Sequence, residues 1–206
     1  MTYLDISLPI HPGMMVYKNK PEKQPTIAVQ NRLNEGGSYE STITFNVHTG
    51  THLDFPLHMM KNGGTSTGFL PETLICKVRM IDCKMKDAID ADFLKKQQLK
   101  RGEFILLKTL SSHSDRFLDA FPYLTADGAG YCVSKQLKGV GIDSLGIERN
   151  QPGHETHHAL MNAGILILEG LRLAKVKPGV YDMIALPLSI PNMDALPVRA
   201  LLKVKR

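Results

Sequence analysis

At 206 residues the chain is long enough for one well-buried α/β core, and its length calls for no second domain, so residues 1–206 are read as a single unit. With 43% hydrophobic and 22% charged residues it has an ordinary globular composition, and no apolar run approaches the ~20 residues needed to cross a membrane. Lys+Arg outnumber Asp+Glu by 25 to 20, but the excess gathers at Lys95, Lys96, Lys100 and Arg101 and at Lys203, Lys205 and Arg206, with no interleaved aromatics, which argues against nucleic-acid binding.

The opening Met1-Thr2-Tyr3-Leu4-Asp5 has neither the basic start nor the apolar run of a signal peptide. Cys76, Cys83 and Cys132 form no Cys-x-x-Cys pair and suit reduced thiols, so a soluble cytoplasmic protein is expected. Residues 3–8 read as a short strand stopped by Pro9, followed by a turn at His11-Pro12-Gly13. Lys18 to Pro25 is polar and proline-punctuated, and Asn34-Glu35-Gly36-Gly37 predicts a second turn. From Ser41 to Val47, apolar Ile43, Phe45 and Val47 alternate with Thr42, Thr44 and Asn46. That is the period of a half-buried strand, and it predicts that His48 continues the polar face.

The next eleven residues, His48-Thr49-Gly50-Thr51-His52-Leu53-Asp54-Phe55-Pro56-Leu57-His58, hold three of the eight histidines and an aspartate. Histidine and carboxylate are the ligands zinc and similar divalent ions favour. Four residues of extended strand span roughly 13 Å, so His48 and His52 can share an ion only if the chain curls between them. Gly50 suits such a curl, and Pro56 ends any ladder before His58. One histidine here would read as a hydrogen-bonded loop residue; three with Asp54 point to a metal or catalytic site. Lys61-Asn62-Gly63-Gly64-Thr65-Ser66 then reads as a loop, either an ordinary surface loop or a cover for that site.

Beyond residue 75 strands and helices alternate. Cys76 to Cys83 and Phe104 to Lys108 are strand-like, with a helix over Ala91 to Lys100 capped by Asp90. Thr125 caps a helix running toward Leu137 with Gly139 as its stop, and Val140 to Asp143 is a short buried strand. His154, Glu155, His157 and His158 precede a helix over Ala159 to Ala163, ended by Gly164. Ile165 to Leu168 is continuously apolar, as in a strand buried on both faces, and Glu169 follows directly. A carboxylate at the end of such a strand is placed where α/β proteins bind ligands, although a solvated strand end is an equal reading of that residue alone. The pattern predicts an α/β protein with some parallel pairing.

His-x-Gly-Thr-His-x-Asp-x-Pro-x-His resembles the signature of the cyclase family of metal-dependent hydrolases, which includes bacterial kynurenine formamidases and isatin hydrolases. The stretch from His157 to Gly170 is similar to the family's second site, with a glutamate twelve residues after a histidine. Ala185 to Leu188 and Asp194 to Ala200 look like its C-terminal part. The resemblance implies a swivelling β/β/α domain of mixed sheets with helices, assembled as a homodimer or larger. It implies two divalent ions, zinc first and manganese second, held by His48, His52, Asp54, His157 and Glu169, with Asp54 and Glu169 touching both. His58 is then the proton shuttle. Where such formamidases carry aromatic and Pro-Gly residues and Thr-Gly-Trp, this chain has Val16 to Lys20 and Thr109-Leu110-Ser111, and it contains no tryptophan.

Paired divalent ions lower the pKa of bound water from 15.7 to about 7, and a histidine near its ordinary pKa can move the proton to a leaving nitrogen. The expected activity is hydrolysis of a small-molecule amide, arylformamidase first, within tryptophan catabolism. Opening of a cyclic amide such as isatin is the second reading, and a non-catalytic metal-containing binding protein the third. A non-catalytic relative has no need of His58 beside intact ligands, which favours the enzyme.

Overall fold

The computed structural model describes residues 2–33 and 37–204, and the elements of these described residues include twelve strands and three α-helices. The strands are β1 (Thr2–Asp5), β2 (Thr26–Asn31), β3 (Glu40–Thr44), β4 (His52–Asp54), β5 (Ile75–Asp82), β6 (Ala88–Ile89), β7 (Phe104–Lys108), β8 (Tyr123–Leu124), β9 (Gly139–Ile142), β10 (Leu166–Glu169), β11 (Gly179–Pro187) and β12 (Ala195–Val204). The helices are α1 (Ala91–Lys96), α2 (Ala126–Ser134) and α3 (Glu155–Asn162). Most of the turn expected over Asn34 to Gly37, and the charged residues Lys205 and Arg206, lie outside the described residues.

Eight strands form one sheet in the order β1-β12-β11-β5-β7-β9-β10-β4, and a further pairing of β4 with β12 closes it into a barrel. β5, β7, β9 and β10 run parallel to one another, and the remaining pairings of this sheet are antiparallel. Parallel pairing is what the strand–helix alternation predicts. All of β7 is buried: Phe104 and Leu106 pack in one core cluster, and Ile105 and Leu107 in a second that also holds Leu94, Cys132 and Leu160 from the helices. The period of two thus divides each central strand between the barrel interior and the helical layer.

Side-chain caps start two of the helices as expected: Asp90 accepts from Phe93 N at the head of α1, and Thr125 from Gly128 N at the head of α2. Three boundaries differ. α1 ends at Lys96 and not Lys100, with Gln98 in the left-handed region. Gly139 does not stop α2, which ends at Ser134; it opens β9, where an added Cβ would overlap the Phe104 ring. α3 begins at Glu155, so His157 and His158 lie inside it.

The region before the histidine motif departs most from expectation. β3 stops at Thr44 and pairs only with β2, and every residue of both strands is exposed. The alternation is real, but this two-stranded hairpin stands off the barrel, so neither of its faces is covered in one chain. His48 lies in a turn beyond the strand and does not continue its polar face.

Candidate metal and active site

The two histidine clusters meet at the seam where the barrel closes. β4 is three residues long, and on one side it pairs with β10, setting His52 opposite Glu169 and Asp54 opposite Ile167. On its other side it pairs with β12, setting Asp54 opposite Ala195. Residues i and i+2 of a strand share a face, so His52 and Asp54 point the same way. The curl expected at Gly50 is present, with φ at +68°, and Gly170 takes the same φ at the end of β10. An added Cβ at Gly170 would overlap the Gly50 carbonyl, while Thr51 Oγ1 donates to Gly170 O at 2.6 Å, so the two strand ends are locked together. α3 brings His157 in from the second cluster.

Each of three imidazoles has one nitrogen facing an outer partner and the other turned toward Asp54, and for His52 and His157 toward Glu169 as well. His48 Nε2 donates to Asp194 Oδ2 at 2.9 Å, leaving Nδ1 3.1 Å from Asp54 Oδ1. His52 Nδ1 donates to the Gly50 carbonyl at 3.0 Å, leaving Nε2 3.5 Å from both Asp54 Oδ1 and Glu169 Oε2. His157 Nδ1 lies 2.8 Å from Glu148 Oε1, in an oblique ion contact, and its Nε2 is 3.7 Å from Asp54 Oδ2 and 3.5 Å from Glu169 Oε1. His52 Nε2, His157 Nε2 and both Asp54 oxygens are buried without a hydrogen-bond partner, and His157 Nδ1, on the outer side, has only its ion contact with Glu148. Buried polar atoms are costly when unpaired, and orphaned imidazole nitrogens converging on orphaned carboxylate oxygens are the donor set of a divalent metal site. The residues fit the ions that the sequence implies.

His58, at the end of a 3-10 turn over Pro56–His58, is brought to the same place. Its ring lies tilted against that of His48 with centroids 4.1 Å apart, and Nδ1 is 3.8 Å from Asp194 Oδ2. His48, Asp54 and His58 offer donor atoms within 4.8 Å of one another, as do His52, Asp54 and Glu169. All six residues predicted from sequence therefore converge. Glu148 and Asp194 were missed. Asp194 stands at the head of a segment read only as a family likeness, and Glu148 in Ile147-Glu148-Arg149 carries no spacing signal.

The charges of the ion-free site are strongly biased. Burial penalises the His52 imidazolium, yet the Glu169 and Asp54 carboxylates outweigh it and raise its pKa to about 9. His157 is also raised, its burial outweighed by Asp54, Glu148 and Glu169. Burial raises Glu169 and Asp54, but the surrounding imidazoles hold Asp54 well below the carboxylate range and Glu169 at about 2. For His58 the order is reversed: burial prevails over the pull of Asp54 and lowers it, so it stays neutral at neutral pH. A neutral imidazole is the form that accepts a proton.

The site opens into a cavity of about 700 Å³. Its outer wall carries Tyr17, Phe117 and Phe121, packed edge to face or tilted at 5.2–6.3 Å between ring centroids, with Lys18, Lys23 and Arg149 beside them. The Arg149 guanidinium lies 5.0 Å from the Tyr123 ring centroid. None of residues 61–66 lines the cavity; Leu57 N and Gly64 O, and Ser66 N and Met193 O, tie that loop down instead. Thr109 likewise stays out of the wall, hydrogen-bonding to the buried Asp143 through both its amide and its hydroxyl.

Residues 4–149 match the Cyclase family model. The chain is 33% identical over 206 residues to a kynurenine formamidase of Bacillus thuringiensis subsp. konkukian, covering 98% of this chain and 97% of the relative. It is 44% identical to a solved structure described as a predicted metal-dependent hydrolase from Bacillus stearothermophilus, with a TM-score of 0.89 and 98% and 97% of the two chains covered. Isatin hydrolase A from Labrenzia aggregata, solved with benzyl benzoate, shares the fold at 22% identity, with a TM-score of 0.87 over 100% of this chain and 94% of that one.

Proposed function

The chain belongs to the cyclase family, and from that premise we propose that it hydrolyses small aryl amides at a two-metal centre, with an aryl formamide of the N-formylkynurenine kind as substrate, in tryptophan catabolism. The observation that carries this reading is the set of three imidazoles, each with one nitrogen facing an outer partner and the other facing Asp54, with Glu169 shared by His52 and His157. His48, His52, His157, Asp54 and Glu169 would hold the ions, with both carboxylates in reach of more than one imidazole. Mixed imidazole and carboxylate donors suit zinc, with manganese the second choice. When bound, such ions supply an activated water near neutral pH and an electrophile for the carbonyl oxygen.

The chain's own residues do the rest. His58, neutral and beside the centre, accepts the proton of the attacking water and returns it to the amide nitrogen as the C–N bond breaks. The Tyr17, Phe117 and Phe121 edges offer an aromatic ring the offset or edge contacts it prefers. The products are formate and the free arylamine. A protein that only held metal would gain nothing from an imidazole placed beside the ligands. We place the enzyme in the cytoplasm as a homodimer or larger assembly; free Cys76, Cys83 and Cys132 support the compartment, and the uncovered hairpin supports the assembly. No helix among the described residues is long and apolar enough to cross a membrane.

The test is elemental analysis of purified protein, followed by hydrolysis of N-formylkynurenine, formanilide and isatin. Two zinc or manganese ions per chain and preferred release of formate are expected. Preferred opening of isatin would move the assignment to cyclic amides, and metal-free protein active on none of the three would end it.

A further inference from the structure

Glu148 is buried, at 7% exposure, in the segment between β9 and α3. Its Oε2 accepts from the amides of Thr156 and His157, both at 3.1 Å. These belong to the first turn of α3, where unpaired N–H groups and the helix dipole favour a carboxylate. Its Oε1 faces His157 Nδ1 at 2.8 Å and accepts from His154 Nδ1 at 2.5 Å. One carboxylate thus grips both the backbone and the ring of His157. A carboxylate acting only as a helix cap has no use for an imidazole on its second oxygen. His154 reaches it from the cavity rim through a left-handed backbone, φ 51° and ψ 42°, which residues other than glycine seldom adopt.

The consequence is geometric. An imidazole turned over about its ring bond would offer Nδ1 to the centre in place of Nε2. With Nδ1 held against Glu148, Nε2 is the atom left facing Asp54 and Glu169. We propose that Glu148 is a positioning residue of the metal centre, fixing the orientation of His157 and the nitrogen it presents to the ion. This rests on the two-metal reading above. Outer partners of metal-bound histidines do this work generally, and their loss costs about 10–100-fold in metal affinity.

Glu148→Gln keeps an oxygen for the helix amides but loses the charge facing His157. Competition titration of zinc against a chromophoric chelator should show one ion bound about 10–100-fold more weakly in the variant and the other unchanged, with the melting temperature of the metal-free protein close to wild type. A helix cap alone would leave zinc affinity intact in this variant, because the amide oxygen of Gln still serves the helix N–H groups; that result overturns the proposal. If wild type binds no zinc, the two-metal reading itself fails, whereas zinc bound equally by both proteins refutes only the role of Glu148. Should the variant not fold, long-range ¹H–¹⁵N spectra of zinc-loaded wild type decide. His157 protonated at Nδ1 supports the proposal, and protonation at Nε2 overturns it.

Discussion

Asp54 faces three imidazoles at once, with contacts of 3.1, 3.5 and 3.7 Å to His48, His52 and His157. Asp54→Asn preserves its shape and removes the charge that the proposed ions would need. Bound metal should fall well below wild type and hydrolysis should cease; full metal content on elemental analysis would show that Asp54 is no ligand. His58 should behave differently, because its side chain is partly open to the cavity. His58→Ala should keep its metal and lose about 10²–10⁴-fold in turnover, less on substrates with good leaving groups. Loss of metal together with activity would make His58 a ligand. The two histidine clusters were legible because residue type and spacing both mark a site. Glu148 and Asp194 were not, since an isolated carboxylate shows no period and its partners lie far along the chain: Asp194 is 146 residues from His48.

At the level of elements, the sequence revealed periods but not neighbours. The alternation before His48 was correct as a strand, yet period two says only that two faces differ, and which surface covers them depends on distant pairing. An isolated hairpin in water is marginal, and Ile27 and Ile43, directly paired, are 50% and 47% exposed. If a second copy covers that face, Ile43→Lys should shift the protein toward monomer in sedimentation velocity; an unchanged distribution would assign the assembly to another surface. β9 shows the opposite limit. Gly139 read as a helix stop because glycine often is one, whereas here it makes room for Phe104, as Gly141 does for Leu106. Gly139→Ala should therefore destabilise by about 1–3 kcal/mol, the usual scale of overpacking, measured by urea denaturation.

Across the whole molecule, the ion-free site ties stability to pH. His52 is raised from 6.5 to about 9, so its contribution is complete below 6.5 and lost as pH rises through 9. Glu169 is lowered from 4.5 to about 2, so its contribution is complete above 4.5 and lost as pH falls through 2. Between 4.5 and 6.5 both are complete, and the melting temperature of chelator-treated protein should be highest there and decline toward pH 9. A flat or rising profile from 6.5 to 9 would contradict it. Metal-loaded protein should show the reverse slope over that range, since ions displace these protons and bind better as pH rises. The α/β class was legible from alternating patterns, but barrel closure was not. β4 is too short to carry a strand signal, and its pairing with β12 is a long-range event.

That closure also sets a timetable. His52 and Asp54 lie in the first third of the sequence, but their strand is held by residues 167–169 on one side and 195–197 on the other. Chains emerge from the ribosome at about 5–20 residues per second, so the early histidines spend several seconds outside without the partners that organise them. Such a nascent chain offers loose imidazoles and no pocket. The proposed centre can therefore be complete only after β12 has been made and docked, so metal should load onto finished protein. In pulse-chase translation with radioactive zinc, label should appear on full-length chains and be absent from chains arrested before residue 195.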